Sequence, residues 1–426
     1  MDRSASIWVY MGGAALLLSV MLSACGGGGS SSTATSSTNP STFYSHSVAF
    51  RNNSAVAWGY NGYGQLGEKD KSTTNSNVPV PVIGVAGLAG IAAGGTHTLA
   101  FKNMSGVWAW GNNGFGQLGD GTTTARTTPV QVKTNGTGNP LLTGVTAVAA
   151  GGNHSLALDN GAVWAWGNNA NGQLGIPSVS TSNVAVQVPS PLTGSPFSDI
   201  TAVAAGGNFS LALDTSGIVW AWGSNAQGQL GRSPTATLSS NTPLPVDGIT
   251  GKVIAIAAGG SHGLALTDDG TVWAWGYNGF GQLGTSATTT PFRSTPLPLA
   301  GFTGLTTSSA GMFPIAAGLD HSLALKNDGT LWAWGYNGFG QLGDSSAINV
   351  NNPVSTPVEV PVQVNVNTVP LANVVSVAAI GHHTLAATGV NKVWAWGDNT
   401  FGQLGNAKDG KANISSVPVT VTGFVP

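Results

Sequence analysis

The sequence contains few charged side chains, because Asp, Glu, Lys and Arg together make up only 7% of its 426 residues. The 14 basic residues are scattered singly along the chain, and the formal net charge is -2. Nucleic-acid binding depends on clustered lysine and arginine side chains, which displace counterions from the phosphates. The composition therefore argues against a nucleic-acid partner.

Cysteine is nearly absent as well. Cys25 is the only one, so no disulfide can form within the chain. After the N-terminus no uninterrupted apolar run reaches about 18 residues, the length that a membrane-spanning helix needs. Glycine and proline are abundant, at 63 and 22 residues, but 14 tryptophans and regular apolar segments indicate a folded globular body.

The N-terminus has the composition of an export signal. Residues 1–24 contain Arg3, an apolar run from Ile7 to Leu22 and small residues before Cys25. The segment Leu22-Ser23-Ala24-Cys25 resembles the lipobox of bacterial lipoproteins, in which the Cys is lipidated and becomes the mature N-terminus. We therefore expect cleavage after residue 24, a flexible Gly/Ser/Thr tether over residues 25–41, and a protein anchored at the outer membrane or cell surface.

One pattern recurs seven times over residues 42–426. Each copy contains Trp-Ala-Trp-Gly (Val-Ala-Trp-Gly in the first), followed by x-Asn-x-x-Gly-Gln-Leu-Gly. Upstream of it lies Ala-Ala-Gly-Gly-x-His-x-Leu-Ala-Leu or a variant of that motif. Both motifs alternate with period two, which predicts strands. Repeats of short strands with glycine-rich turns predict a β-propeller.

The alternation also predicts how the blades pack. In each sheet we expect one bulky and one small face, so that Trp and Leu of one blade lie against Ala and Ser of the next. The Ala-Ala-Gly-Gly run suits the crowded strand nearest the axis, and Trp suits a position further out. The terminal segment Val417–Val421 resembles the strand that precedes each His motif, so we expect it to complete the first blade and remove an open edge.

Together the two motifs resemble the repeat of the regulator of chromosome condensation family. The resemblance covers nearly everything after residue 42 and implies an all-β, seven-bladed β-propeller of four-stranded blades, closed by N- and C-terminal strands. It does not imply one activity, because fold and function separate readily. Export argues against the nucleotide exchange on Ran known in the family, and sparse Arg argues against photoreception. A secreted inhibitor of β-lactamase, also known in the family, fits the compartment better.

Most polar repeat positions are interpreted as structural. Asn and Gln of the turn occur in all seven copies, where they can satisfy loop backbone groups. Six histidines occupy one position of the repeat, that of His in the Ala-Ala-Gly-Gly-x-His motif, which we call the slot. Each slot histidine belongs to a different blade, and Phe209 fills the slot in the fourth repeat, which argues against a shared metal. No nucleophile–base arrangement stands out, so we expect no enzymatic activity, no metal and no cofactor. The slot histidines are His46, His97, His154, His262, His321 and His383.

The candidate binding residues lie where the repeats differ. The turn after the Trp strand carries aromatic residues in five repeats, whereas Asn171 and Gln227 fill the same position in the other two. Because a ring closes the seventh blade on the first, the aromatic repeats should form one sector, and exposed aromatic clusters are typical of binding surfaces. The alternative is that these rings pack onto their own turns. The candidate residues are Tyr60, Tyr63, Phe115, Tyr277, Phe280, Phe292, Arg293, Phe302, Tyr336, Phe339 and Phe401.

These features predict a monomeric, non-catalytic interaction propeller that touches the membrane only through the lipid on Cys25. Its expected partner is a protein or, with less support, a glycan of the envelope. The alternative is a regulator of an enzyme, either an inhibitor of a secreted hydrolase or a protein similar to a guanine-nucleotide exchange factor. An inhibitor would abolish the activity of its partner, whereas a scaffold would bind without changing any turnover.

Overall fold

The computed structural model describes residues 45–424 without 52–53, 69–72, 104, 192–196, 236, 286–290, 301, 303–304, 306–313, 347, 349–357, 367 and 389–391. The predicted signal (residues 1–24), the predicted tether (residues 25–41) and Cys25 lie outside the described residues. The described chain forms seven antiparallel blade sheets that follow one another along the sequence, and one additional two-stranded sheet. This confirms the predicted all-β, seven-bladed propeller.

The described part of the first blade has three strands, whereas each of the next three blades has four. The strands of the first blade are β1 (His46–Arg51), β2 (Ser54–Gly59) and β3 (Ser76–Pro81). Those of the second are β4 (Gly90–Ala93), β5 (His97–Lys102), β6 (Gly106–Gly111) and β7 (Arg126–Gln131). Those of the third are β8 (Val145–Ala150), β9 (His154–Asp159), β10 (Ala162–Asn168) and β11 (Thr181–Gln187). Those of the fourth are β12 (Ile200–Ala205), β13 (Phe209–Asp214), β14 (Val219–Ser224) and β15 (Ser239–Pro245).

The last three blades also have four strands each. Those of the fifth are β16 (Val253–Ala258), β17 (His262–Thr267), β18 (Val272–Tyr277) and β19 (Phe292–Pro298). Those of the sixth are β20 (Ile315–Ala317), β21 (His321–Leu325), β22 (Leu331–Gly335) and β23 (Val358–Gln363). A small hairpin follows, made of β24 (Asn365–Val366) and β25 (Val369–Pro370). The strands of the seventh are β26 (Val374–Ile380), β27 (His383–Thr388), β28 (Lys392–Gly397) and β29 (Ser415–Thr420).

Within each four-stranded blade, strands that follow one another in sequence are hydrogen-bonded neighbours. The first strands of successive blades contact one another from β4 through β8, β12, β16 and β20 to β26. These strands carry the Ile/Val-Ala-Ala segments and surround the axis, as predicted. Small side chains at these positions let neighbouring backbones approach closely.

The terminal strand does not do what the sequence suggested. β29 pairs with β28 through Trp394–Thr420 and Ala395–Val419, and so forms the fourth strand of the seventh blade. The prediction that it completes the first blade is wrong, because the segment has the pattern of a last strand: in five of the other six blades this strand contains Pro-Val or Pro-Leu. The ring instead closes through side chains, where Ala378 and Leu385 of the seventh blade pack with Val48 and Trp58 of the first.

The assignment of faces also needs correction. In the third blade, Trp164 lies opposite Ala157 and Trp166 opposite Ser155, whereas Val163 lies opposite Leu158. Residues directly opposite each other share a face of the sheet, so Trp and Leu lie on opposite faces of a blade. Small residues opposite each indole leave room for the large ring. The Leu face of one blade therefore packs against the Trp face of the next, as Leu156 and Val163 do with Trp222.

Helical structure is confined to one 3-10 turn (Lys411–Asn413) among the described residues. In this same part of the chain, no helix has the length and apolar character needed to cross a bilayer.

Candidate functional site

The turns of each blade emerge at two ends of the propeller. The turn between the first and second strands and the turn between the third and fourth strands share one end, which we call the upper end. A backbone hydrogen bond joins the two turns in each blade; in the sixth, the Tyr336 N–H donates to the Asp320 carbonyl at 2.9 Å. The upper end contains most of the predicted binding residues.

Asn and Gln build the long upper turn in every blade. In the fifth, Asn278 Oδ1 accepts the Leu283 N–H at 3.0 Å, and Gln282 Oε1 accepts the Phe280 N–H at 2.9 Å. The same two bonds recur in the other six repeats. These side chains replace backbone partners that the turn lacks, so their recurrence reflects the fold.

The backbone carbonyl of each turn Gln binds the next blade. Trp222 Nε1 donates to the Gln173 carbonyl at 2.9 Å, and all seven blade junctions have the equivalent bond. The last turn glycine permits this approach: Gly67 has φ +68°, and a Cβ there would lie 2.8 Å from Trp110 Nε1. The junction between the seventh and first blades uses the same bond, from Trp58 to Gln403.

The slot histidines act at the same junctions. His154 Nε2 lies 2.9 Å from Ser210 Oγ of the next blade, and this hydroxyl donates to the Gln173 carbonyl at 2.8 Å. Since the hydroxyl hydrogen is committed to that carbonyl, Ser210 accepts from His154, which is therefore the neutral Nε2–H tautomer. Burial lowers the pKa of His154 to about 3. The partner is thus a hydroxyl of the neighbouring blade rather than a turn of the same blade.

One junction departs from this pattern on both sides. Phe209 replaces the histidine in the fourth blade, and Gly263 replaces the hydroxyl residue in the fifth. A Cβ at residue 263 would lie 2.5 Å from the Trp275 ring. The junction keeps the Trp275–Gln229 bond at 2.9 Å. A histidine–hydroxyl pair is therefore replaceable by an apolar ring and a glycine.

Aromatic side chains contact each other across three successive junctions at the upper end. Phe280 of the fifth blade lies 4.8 Å from Tyr336 of the sixth, measured between ring centroids. Phe339 of the sixth stacks on His382 of the seventh at 5.0 Å, and Phe401 of the seventh lies 5.1 Å from Tyr60 of the first. The aromatic sector, as we call it, consists of Tyr277, Phe280, Tyr336, Phe339, Phe401, Tyr60 and Tyr63.

The exposure of these rings varies. Tyr63 is 41% exposed, whereas Phe339 is only 8% exposed because His382 covers it. Tyr60, Tyr277, Phe280, Tyr336 and Phe401 are half-buried. The rings therefore pack against neighbouring blades and still present part of their surface to solvent.

Three other predicted residues lie beside the sector or outside it. Phe115 is 42% exposed in the equivalent turn of the second blade. Phe292 is 37% exposed and lies opposite Tyr277 in the β18–β19 ladder, with Arg293 next to it. The Arg293 side chain is half-buried, and its backbone approaches Gly228 of the fourth blade.

Phe302 does not belong to a binding surface. It is 6% exposed, and its ring lies 5.7 Å from Trp332 and 6.0 Å from Trp334. Lys326 lies in the turn between β21 and β22, at the end of the blade opposite to the upper end, which we call the lower end. Its ammonium group covers the Phe302 ring at 4.5 Å, so Phe302 lies at the lower end of the sixth blade. Its position before a blade is that of Phe197, which packs on Trp220 and Trp222 in the same way.

Two carboxylates and a histidine beside the aromatic sector were not among the predicted site residues. Asp320 and His382 occupy the residue before the slot histidine, with 3.4 Å between Oδ2 and Nε2. Asp398 follows the Trp-Gly pair, and burial raises the pKa of its carboxyl. Burial together with Asp320 and Asp398 raises the pKa of Tyr336 to about 12. The sequence did contain a signal for these three residues: each is an acid or a histidine at a repeat position where most of the other blades have neutral side chains.

Within the described ranges, no group of three or more His, Cys, Asp or Glu side chains is arranged to hold a metal ion. Beside the aromatic sector, the upper end thus combines aromatic rings with the carboxylates of Asp320 and Asp398 and the buried imidazole of His382. That chemistry suits recognition of another molecule.

Comparison with known proteins agrees with this architecture. The chain is 30% identical to the ultraviolet-B receptor UVR8 of Arabidopsis thaliana over 380 residues, covering 88% of this chain and 79% of the receptor. It is also 30% identical to the mitochondrial protein RUG3 of the same plant, covering 77% of this chain and 71% of RUG3. The structure of Prp20p from Saccharomyces cerevisiae, whose binding to Gsp1p and histones has been characterised, has a TM-score of 0.70 at 29% identity, covering 86% and 85% of the two chains.

Family models match nearly the whole propeller. The regulator of chromosome condensation (RCC1) repeat matches residues 56–101 and 105–158, and a second model of that repeat matches 145–173. The RCC1-like domain model matches residues 185–425, more than half of the chain. With its seven junctions built from one repeated set of contacts, the chain belongs to the RCC1-like domain family.

Proposed function

We propose that this chain is a non-catalytic, protein-binding propeller held at the bacterial envelope by a lipid on Cys25, with the aromatic sector as its contact surface. The observation that supports this most is the run of ring contacts across three successive junctions, from Phe280 to Tyr60. Half-buried aromatic rings on a firm support are typical of binding hot spots, because they offer a large contact area at small entropic cost.

The turn itself does not require these rings. Asn171 and Gln227 occupy the position of Phe280 in the third and fourth blades, and their N–H groups make the same bond to the turn Gln. The family likeness supports a protein partner as well, since Prp20p binds Gsp1p and histones.

The proposed anchor rests on the segment Leu22–Cys25, which follows an apolar run and precedes a Gly/Ser/Thr stretch. A tether of this composition would hold the propeller away from the membrane.

The test compares two variants at one repeat position. Phe280→Gln combined with Phe401→Gln should reduce capture of envelope proteins by the purified chain at least tenfold, while the melting temperature stays within a few degrees. Phe115→Gln, at the equivalent position of the second blade and outside the ring contacts, is the matched control and should bind normally. If both variants capture the same proteins as the wild type, the aromatic sector is not the contact surface.

A more specific form of this function is that the bound protein is an enzyme whose activity the propeller regulates. Once a captured protein is known, its turnover is measured with increasing amounts of the propeller. Stoichiometric loss of hydrolysis would identify an inhibitor, and faster nucleotide release would identify an exchange factor. Unchanged turnover would indicate that the propeller binds the protein without regulating it.

A further inference from the structure

One position beside the aromatic sector carries an acid in a single blade. At the residue before the slot histidine, the sixth blade has Asp320, whereas no other blade has an acid there. The corresponding residues of the first to fifth and seventh blades are Ser45, Thr96, Asn153, Asn208, Ser261 and His382. Because Asn serves in the third and fourth blades, the fold does not require a carboxylate at residue 320.

The carboxylate of Asp320 is only partly occupied by its neighbours. Its Oδ1 accepts from Gln282 Nε2 at 3.3 Å, and its Oδ2 lies 3.4 Å from His382 Nε2. Both distances are long, since charge-assisted bonds of this kind are usually about 2.7–2.9 Å. A carboxylate offers roughly four acceptor positions, and the side chain is 18% exposed. Asp320 therefore has acceptor capacity left on the solvent side.

Aromatic faces adjoin this carboxylate. Tyr336 is hydrogen-bonded through its N–H to the Asp320 carbonyl, and its ring lies 4.8 Å from Phe280 and 5.2 Å from His382. Burial and, as a smaller cause, the charge of Asp320 raise the pKa of both Tyr277 and Tyr336, so the carboxylate acts on both hydroxyl groups. A cation over such rings gains from their negative faces, and a carboxylate beside it adds a direct ionic partner.

The propeller places cations over aromatic rings within its own structure, but at the lower end of its blades. Lys392 lies 3.9 Å from the Trp394 ring, and Lys326 lies 4.4 Å from the Trp332 ring. Among the described residues, the cation–π pairs all involve the first Trp of a blade or Phe302, at the lower end. The rings beside Asp320 have the acid and the aromatic surface, while the cation would come from outside.

We propose that the partner protein presents a lysine or arginine side chain that binds beside Asp320, against the rings of Phe280 and Tyr336. This inference rests on the proposed function and adds the chemistry of its contact. An arginine suits the position well, because its guanidinium can stack on a ring and donate to a carboxylate at once. Asp398, whose charge also acts on Tyr336, contributes to the negative potential felt by that cation.

The tyrosines allow a direct test with a defined probe. The chain contains six, and the four in the described ranges, Tyr60, Tyr63, Tyr277 and Tyr336, all belong to the aromatic sector. The full chain, purified in detergent with 3-fluorotyrosine, is titrated with N-acetyl-arginine amide at constant ionic strength and followed by 19F NMR. Signals are assigned by single Tyr→Phe variants. N-acetyl-citrulline amide, which is neutral and nearly isosteric, is the ligand control.

We expect saturable shifts of the Tyr277 and Tyr336 signals with the arginine amide and none with the citrulline amide. Asp320→Asn, the residue found at this position in two other blades, should weaken binding at least fivefold. Asp344→Asn, which removes an acid from the sixth blade outside the ring contacts, should leave it unchanged. Equal shifts with citrulline, no shift with arginine, or full binding by Asp320→Asn would each overturn the inference.

Capture of the native partner separates this inference from the proposed function. If Phe280→Gln with Phe401→Gln abolishes capture and Asp320→Asn does not alter it, the cation inference fails while the protein-binding function stands. If neither change affects capture, both fail.

Discussion

Mild acid should remove most of the stability of this propeller, because six buried histidines bridge its blades in the neutral form. Burial lowers the pKa of His46, His97, His154 and His383 to about 3 and that of His262 to about 4. The pKa of His321 is also lowered well below its usual value of 6.5. In the unfolded chain all six return to a pKa near 6.5.

The direction in which the free energy of unfolding changes with pH follows from proton binding. Below pH 6.5 the unfolded chain takes up protons that the folded chain does not, so stability is fully present above pH 6.5 and falls as the pH approaches 3. For one histidine with these two pKa values, the loss between pH 7.5 and pH 5 is about 2 kcal/mol. The five histidines with a pKa of about 3 or 4 together give on the order of 10 kcal/mol, which is comparable to the whole stability of a typical domain, and His321 acts in the same direction. Burial raises the pKa values of Asp159 and Asp398, which act in the opposite direction.

The assay is urea unfolding followed by Trp fluorescence at pH 7.5, 6.5, 5.5 and 5. We expect the free energy of unfolding to fall steeply over this range. The double variant His154→Phe and Ser210→Gly copies the Phe209–Gly263 junction and removes one titrating group, so it should lose about 2 kcal/mol less over the same interval. Equal stability at pH 7.5 and pH 5 would refute the assignment of the histidines as buried and neutral, and an unchanged slope in the double variant would exclude His154 as a contributor.

Two further predictions concern packing and export. Trp222→Ala should cost about 3–5 kcal/mol in urea unfolding, because it removes a fully buried indole and its bond to the Gln173 carbonyl; an unchanged midpoint would contradict its role at the junction. Cys25→Ser should release the protein from membranes or leave it unprocessed, and a wild-type protein that fractionates as soluble, without acyl mass on Cys25, would disprove the anchor.

The repeat pattern was enough to predict the propeller, because seven copies of a strand-and-turn unit have few other ways to bury their apolar faces. The faces of a blade were assigned wrongly, since period two separates neighbours along one strand but does not show which residue of the next strand lies opposite. The register that sets Trp164 against Ala157 is a property of the paired strands. The terminal strand was misplaced because the Pro-Val segment marks the end of a blade rather than its beginning.

At the candidate site, too, some residues could be predicted from the sequence and others could not. Positions such as Phe280 and Tyr60 stood out because the repeats differ there, and both lie in the aromatic sector. Phe302 came from a long connection between blades, and only the structure shows that it fills the space below Trp334 as Phe197 does below Trp222. Asp320 was overlooked because a single acid in a turn looks ordinary until the rings of two neighbouring blades are seen around it.

The Phe209–Gly263 junction has a consequence for how such rings can be recombined. Residue 209 faces the fifth blade, whereas the adjacent Ser210 bonds to His154 of the third. A whole blade exchanged at its loops would carry Phe209 to a neighbour that offers a hydroxyl, and would leave Gly263 facing a histidine. The two partnerships overlap along the chain at residues 209 and 210 of β13, so any single join between His154 and Gly263 separates at least one of the pairs. Duplications and chimeras should therefore survive best when Phe209 and Gly263 are inherited in one segment, because the pairs separated at its two ends are then histidine–hydroxyl pairs, which the other blades can supply.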